Sequence, residues 1–161
     1  MRRILIFGNS GSGKTSLAKA LCEKNTLAHL DLDSLAWAPT EPVQRADLAC
    51  SRADIESFTS ANDSWVIEGC YTDLLEMVVS LSTEIIFLNL SVEDCIANAE
   101  RRPWEPHKYK TKAAQDSNLP MLLDWISQYL SREDTFSFHA HNMFFERYEG
   151  EKLMYRTNTH L

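Results

Sequence analysis

The feature that most constrains this 161-residue chain is a short run near its start, Gly8-Asn9-Ser10-Gly11-Ser12-Gly13-Lys14-Thr15. It follows the apolar Ile4-Leu5-Ile6-Phe7, which reads as a strand, and precedes Leu17, Ala18, Ala20 and Leu21, which recur at helical spacing. The run fits the spacing G-x-x-x-x-G-K-[ST] in the strand-to-helix context that gives the pattern its meaning. Glycines let the backbone turn its N–H groups inward around a phosphate, and the following helix adds the partial positive charge of its first turn. Three of the five glycines in the chain fall here. Gly8 to Thr15, with Ser16, are therefore expected to cradle a nucleotide triphosphate. Lys14 is expected on the β- and γ-phosphate oxygens and the Thr15 hydroxyl on Mg²⁺.

Composition narrows the remaining classes. The length is that of one domain, and no apolar run approaches the roughly 20 residues of a membrane helix. Lys plus Arg number 16 against 23 Asp plus Glu, and a net charge of −7 disfavours a nucleic-acid partner. The basic start leads into too short an apolar run for a secretory signal, so a cytoplasmic protein is expected. Four cysteines occur without C-x-x-C pairs or zinc-like spacing and read as reduced thiols, mostly buried.

Short β-rich runs alternate with helical patterns, as in βαβ units around a parallel sheet with helices on both faces. The strand candidates are Ile4–Phe7, Leu27–Leu32, Trp65–Ile67, Ile85–Leu90 and Leu153–Tyr155. Helices are expected after Lys14, from Arg45 to about Ala61, from an N-cap at Ser91 to Arg102, over Met121–Leu130 and around Phe136–Tyr148. Residues 103–120 are polar, basic and aperiodic, and are expected to form a lid.

Parallel strands end on the same edge as the phosphate loop, so residues at those ends are the site candidates. Asp31 and Asp33 close the second strand and share a face there; Asp33 is expected to position or deprotonate an acceptor, and Asp31 to serve the metal. Glu68 closes the third strand, ahead of Gly69 and Tyr71; these three are candidate substrate contacts, and Glu68 also a candidate metal ligand. Arg101 and Arg102, at the base of the expected lid, are candidates for a guanidinium clamp on transferring phosphates. Solvated loop charge is the simpler reading of His107, Lys108, Lys110 and Lys112, and His139 with His141 face different ways and make a poor metal pair. Guanine-specific N-K-x-D and a strand ending in Asp-Glu are both absent, which disfavours GTPases and motor ATPases.

The blocks GNSGSGKTS, LDLDSLAW, WVIEGCY and IIFLNLSVEDCIANAERRPWE, spanning about residues 4 to 105, resemble small P-loop kinases of the adenylate kinase and shikimate kinase group. They are most similar to bacterial adenylate-kinase-like proteins, some described as DNA topology modulation proteins. The resemblance implies a three-layer α/β/α P-loop NTPase fold with a five-stranded parallel sheet in the order 2-3-1-4-5 and a lid after the fourth-strand helix. It also implies ATP and Mg²⁺ as cofactors and a small-molecule acceptor. Asp31 and Asp33 match a D-x-D of shikimate-kinase-like proteins, and Arg156, Thr157 and Asn158 fall where the adenine loop begins, Arg156 being a nucleotide contact. No F-P-R signature follows the third strand, so adenylate kinase activity itself is not expected. The expected function is phosphoryl transfer to a small molecule, the alternative a nucleotide-dependent switch or slow NTPase without an acceptor.

Overall fold

The structure, a computed structural model, describes residues 1–159. Five parallel strands make the sheet: β1 (Arg3–Gly8), β2 (Ala28–Asp31), β5 (Trp65–Glu68), β6 (Glu84–Leu88) and β7 (Glu151–Tyr155). Their spatial order is β2-β5-β1-β6-β7, which over these five is the expected 2-3-1-4-5. The difference in detail is a small antiparallel ribbon, β3 (Trp37–Ala38) with β4 (Gln44–Arg45), inserted after β2. Ile4, Leu5, Ile6 and Phe7 of the central strand are all fully buried. A strand covered on both faces needs an unbroken apolar run, and that is how these residues read in sequence.

Each face carries its own core. On one, Leu17 and Ala18 of α1 (Lys14–Asn25), Cys95 and Ala99 of α4 (Val92–Glu100) and Ile126 of α5 (Lys112–Ser127) pack on Ile4, Ile6, Val66 and Leu88. On the other, Ile55 of α2 (Leu48–Ala61), Leu74 and Leu75 of α3 (Thr72–Glu76) and Phe144 of α6 (Phe138–Arg147) pack on Leu5, Phe7, Ile67 and Phe87. This is the expected three-layer arrangement. Phe7 stacks on Phe87 with centroids 5.0 Å apart, and Phe144 meets Phe7 edge-on at the same distance.

Two sequence expectations change. Arg45 does not begin a helix: it lies in β4, donates two bonds to the Asp73 carboxylate (3.0 and 3.2 Å) and sits over the rings of Trp37, Tyr71 and Phe136. These partners, none of them local on a helix, draw it into the ribbon, and α2 starts at Leu48 behind the Asp47 cap. The second change is in the expected lid. Only residues 103–111 are irregular; α5 begins at Lys112, capped by the Thr111 side chain, and contains Pro120. Leu119, Leu122, Leu123 and Ile126 pack on the core, and that burial outweighs the proline penalty of about 3 kcal/mol. Two of the four cysteines, Cys70 and Cys95, are buried and all four are free, with burial lifting the Cys70 thiol to about 12 and the Cys95 thiol to about 11.

Candidate functional site

The phosphate loop runs from β1 into α1 through three glycines with positive φ, Gly8 (151°), Gly11 (78°) and Gly13 (90°). Gly11 shows why the side chain is missing: a Cβ there would stand 2.4 Å from the Cys95 carbonyl of α4. The loop is thus seated directly on the backbone of α4, and Gly13 caps α1 with its first-turn amides aimed along the loop. Lys14 folds back so that Nζ donates to the Asn9 carbonyl (2.8 Å), while Asn9, buried beneath the loop, donates to the Ile126 carbonyl of α5 (3.2 Å). Ser12 Oγ is buried without a hydrogen-bond partner.

A cleft of about 690 Å³ opens above this loop at the C-terminal edge of the sheet. Its walls include Ser10, Gly11, Gly13, Lys14, Thr15 and Ser16 of the loop and helix start, Asp33, Glu68, Gly69, and Arg101 with Arg102. Gly8, Asn9 and Ser12 lie underneath and shape the loop from below. The Thr15 hydroxyl donates to Glu68 Oε1 (2.7 Å), to which His29 Nε2 also comes within 3.3 Å. The expected pair of metal candidates therefore meets at one point, although they lie 53 residues apart.

Asp33 is engaged at both carboxylate oxygens. One carboxylate oxygen takes a hydrogen bond from the Tyr71 hydroxyl, and that hydroxyl accepts from Trp37 Nε1 (2.8 Å); the other oxygen pairs with Lys108 Nζ (3.1 Å). Burial would raise the Asp33 carboxyl, but the Lys108 charge, the Tyr71 hydroxyl and Lys14 together hold it below the usual carboxylate range. Burial and the Asp33 charge hold the Tyr71 phenol far above its ordinary value, so it stays a donor.

Several expected contacts move. Asp31 is not on the cleft wall as the metal expectation required: its Oδ1 accepts from the Asp33 amide (2.9 Å), because the strand stops at Asp31 and turns through a short 3₁₀ segment, Leu32–Ser34. Burial, with the charges of Glu68 and Asp33, pushes its carboxyl up to about 6. Tyr71 lies behind the wall and reaches the cleft only through Asp33. Arg156 is exposed and off the cleft; Asn158 takes that place, donating to the Ser12 carbonyl (3.0 Å) and accepting from Asn98 (2.8 Å), which also donates to the Gly11 carbonyl (2.8 Å). Arg101 bonds Asn98 Oδ1 (3.3 Å), and Arg102 pairs with Glu105 (3.6 Å).

Sequence reasoning missed Asn98 and His29, read Lys108 as solvated loop charge, and placed Asn158 where the adenine loop begins without giving it a contact. Of the two missed outright, only Asn98 carried a signal, standing three residues before Arg101 on the face of α4 toward the loop. His141, unpromising as a metal ligand, proves to be a core group: fully buried, it bonds the Tyr129 hydroxyl (2.7 Å) and the Cys70 carbonyl (2.8 Å), and burial lowers its imidazole to about 4. Among the described residues no cluster of three or more His, Cys, Asp or Glu side chains is arranged to hold a metal unaided, and no helix is long and apolar enough to cross a membrane.

Fold and loop together give this chain a three-layer α/β/α architecture with a glycine loop between β1 and α1, the fold also seen in solved structures of small kinases. No family model matches the chain, and no curated protein matches it. Among solved structures it is similar to an unliganded sugar kinase from Janibacter sp. HTCC2649, at 14% identity over 97% of this chain and 85% of that one, with a TM-score of 0.55. It is also similar to a gluconokinase from Sinorhizobium meliloti 1021 (17% identity, 98% and 83% covered, TM-score 0.50) and to an uncharacterised protein from Eubacterium ventriosum ATCC 27560 (16%, 97% and 88%, TM-score 0.51). These likenesses carry the fold and not the narrower topology-modulation group.

Proposed function

We propose that this protein transfers the γ-phosphoryl group of ATP to a hydroxyl of a small-molecule acceptor, with Mg²⁺ bound. The observation that carries the reading is the convergence of Lys14, Thr15, Glu68 and Asp33 on one cleft at the strand C-termini. The loop fits a polyphosphate chain, because the positive φ of Gly8, Gly11 and Gly13 turns it tightly between β1 and the first turn of α1, whose unpaired amides favour an anion. Thr15 and Glu68 would hold Mg²⁺, which neutralises charge on the phosphates when bound. Loop amides and Lys14 bind and orient the phosphates, and Arg101 and Arg102 line the same cleft and supply positive charge toward the transferring group. Asp33 orients the acceptor hydroxyl and takes its proton as the oxygen attacks phosphorus.

The alternative, a nucleotide-dependent switch or slow hydrolase, shares the loop and differs at the acceptor end. A built acid at that end, held by Tyr71 and Lys108, favours transfer. ATP consumption with pooled sugars, polyols, hydroxy acids and nucleosides separates the two. One pool is expected to stimulate the rate, Lys14→Ala to reduce it at least 100-fold with the fold intact by circular dichroism, and Asp33→Asn to lower kcat more than ATP affinity. Full activity in Lys14→Ala, or a rate indifferent to every pool, overturns the proposal.

A further inference from the structure

The loop between α4 and α5 places a cation on the acid assigned to the acceptor. Lys108 Nζ lies 3.1 Å from Asp33 Oδ2 and 3.9 Å from Glu105 Oε1, with about a quarter of its side chain exposed. The opposite oxygen of Asp33 belongs to Tyr71, which is 2% exposed and fixed in turn by Trp37. Both oxygens of the acid are therefore engaged, but unequally: one partner is built into the core, and the other stands on an irregular loop over the cleft mouth.

That asymmetry has a chemical consequence. A cleft holding ATP beside an unshielded carboxylate also admits water, and water is a competent nucleophile: its oxygen attacks the γ-phosphorus, the bond to the β-bridging oxygen breaks, ADP leaves, and the water proton passes to the carboxylate. The products are ADP and inorganic phosphate, with nothing gained. A small water molecule makes too few contacts to displace an ammonium from its carboxylate, whereas an acceptor with several polar groups offers enough binding energy to do so.

On the reading that the cleft is a kinase site, we infer that Lys108 is the residue that discriminates the acceptor against water, by covering Asp33 until a larger ligand displaces it. The loop is shaped for this placement. Lys108 N donates to the Glu105 carbonyl (3.0 Å), the Glu105 amide donates to Gln115 of α5 (2.8 Å), and Trp104 Nε1 donates to the Tyr109 carbonyl (3.0 Å). Lys110, two residues on, is exposed and off the cleft wall.

The test needs no acceptor. Phosphate release from ATP and Mg²⁺ is measured for the native chain and for Lys108→Met, Lys108→Met/Asp33→Asn and Lys110→Met, with ATP binding followed calorimetrically and folding by thermal melting. Lys108→Met keeps the alkyl stem and is expected to raise acceptor-free hydrolysis at least fivefold. Adding Asp33→Asn is expected to abolish the increase, and Lys110→Met, with the same loss of charge, to leave the rate where it was. An unchanged or lower rate in Lys108→Met, or a rise that survives in the double variant, overturns the inference, whereas the nucleotide site that the kinase reading needs stands as long as ATP binds. Failure of the native chain to bind ATP overturns both.

Discussion

At the scale of single residues, unusual backbone geometry falls to glycine where it frames the phosphate loop and, among the described residues, to one residue that is not glycine. Thr26 closes α1 with φ at 53°, and its amide donates to the Cys22 carbonyl. A β-branched residue pays about 1–2 kcal/mol in that left-handed conformation, which glycine and asparagine adopt readily. Thr26 is exposed, so little side-chain packing offsets that cost. Thr26→Asn is therefore expected to stabilise the fold by about 1 kcal/mol, with a rise of roughly 3 °C in thermal midpoint for a chain of this size. Urea unfolding checks it, and a midpoint no higher than that of the native chain refutes it. The Gly11 case has the opposite sign, because the neighbour a side chain would meet is the Cys95 backbone and cannot rotate away.

At the scale of elements, the segment between α4 and α5 changed most between sequence and structure. Read as an aperiodic stretch, 103–120 was expected to be one lid; α5 takes its second half and uses it to fasten the first. Gln115 holds the start of the loop, accepting from the Glu105 amide (2.8 Å) and donating to the Pro103 carbonyl (3.1 Å), and Asn118 donates to the Tyr109 hydroxyl further along (2.7 Å). Each such bond contributes about 1 kcal/mol net. Gln115→Ala is expected to speed hydrogen exchange at the Glu105 amide and through 103–111 by about tenfold or more, while the strands of the sheet keep their protection. Exchange unchanged in that loop means that Gln115 does not fasten it. The same helix reaches the phosphate loop at its other end, through Asn9 and the Ile126 carbonyl. One element thus touches both the loop that carries Lys108 to Asp33 and the glycine loop after β1.

At the scale of the whole molecule, a buried imidazole and a half-buried carboxyl set opposing responses to acid. The imidazole of His141 titrates near 6.5 when unfolded and near 4 in the core, where its neutral form is bonded to Tyr129 and Cys70. A base with a lowered folded value contributes stability that is complete above pH 6.5 and is lost as pH falls toward 4, of order 3 kcal/mol in total. Asp31 works the other way. Its carboxyl is raised from 3.8 to about 6, so its ionised form costs stability near neutrality, and that cost is relieved as pH falls from 6 toward 4. The two cancel in part in the native chain. Asp31→Asn removes the second and keeps an acceptor for the Asp33 amide, so this variant is expected to be more stable than the native chain at pH 7.5 and to lose stability more steeply between pH 6.5 and 4. Parallel stability curves for the two chains over that range contradict this account.

The strands of the sheet and the glycine loop were legible in the sequence because each rests on local or periodic information, whereas the strand order came with the resemblance to small P-loop kinases. Buried parallel strands write themselves as apolar runs, and the loop needs glycine at fixed spacing between a strand and a helix. The meeting of Thr15 with Glu68 was legible for the same reason, since parallel topology brings strand ends to one edge whatever their separation along the chain. The occupancy of that edge was not. Asp31 and Asp33 look equivalent in Leu30-Asp31-Leu32-Asp33, and only the 3₁₀ turn, by ending the strand between them, sends one to the backbone and the other to the cleft. Nor does any local pattern connect Lys108 to Asp33 or His141 to Tyr129 and Cys70, because side-chain pairs between distant segments depend on where packing leaves each helix and loop. The sequence alone determined a glycine loop between a strand and a helix on a parallel α/β sheet; tertiary packing decided which carboxylate faces the cleft beside it and which lysine pairs with that carboxylate.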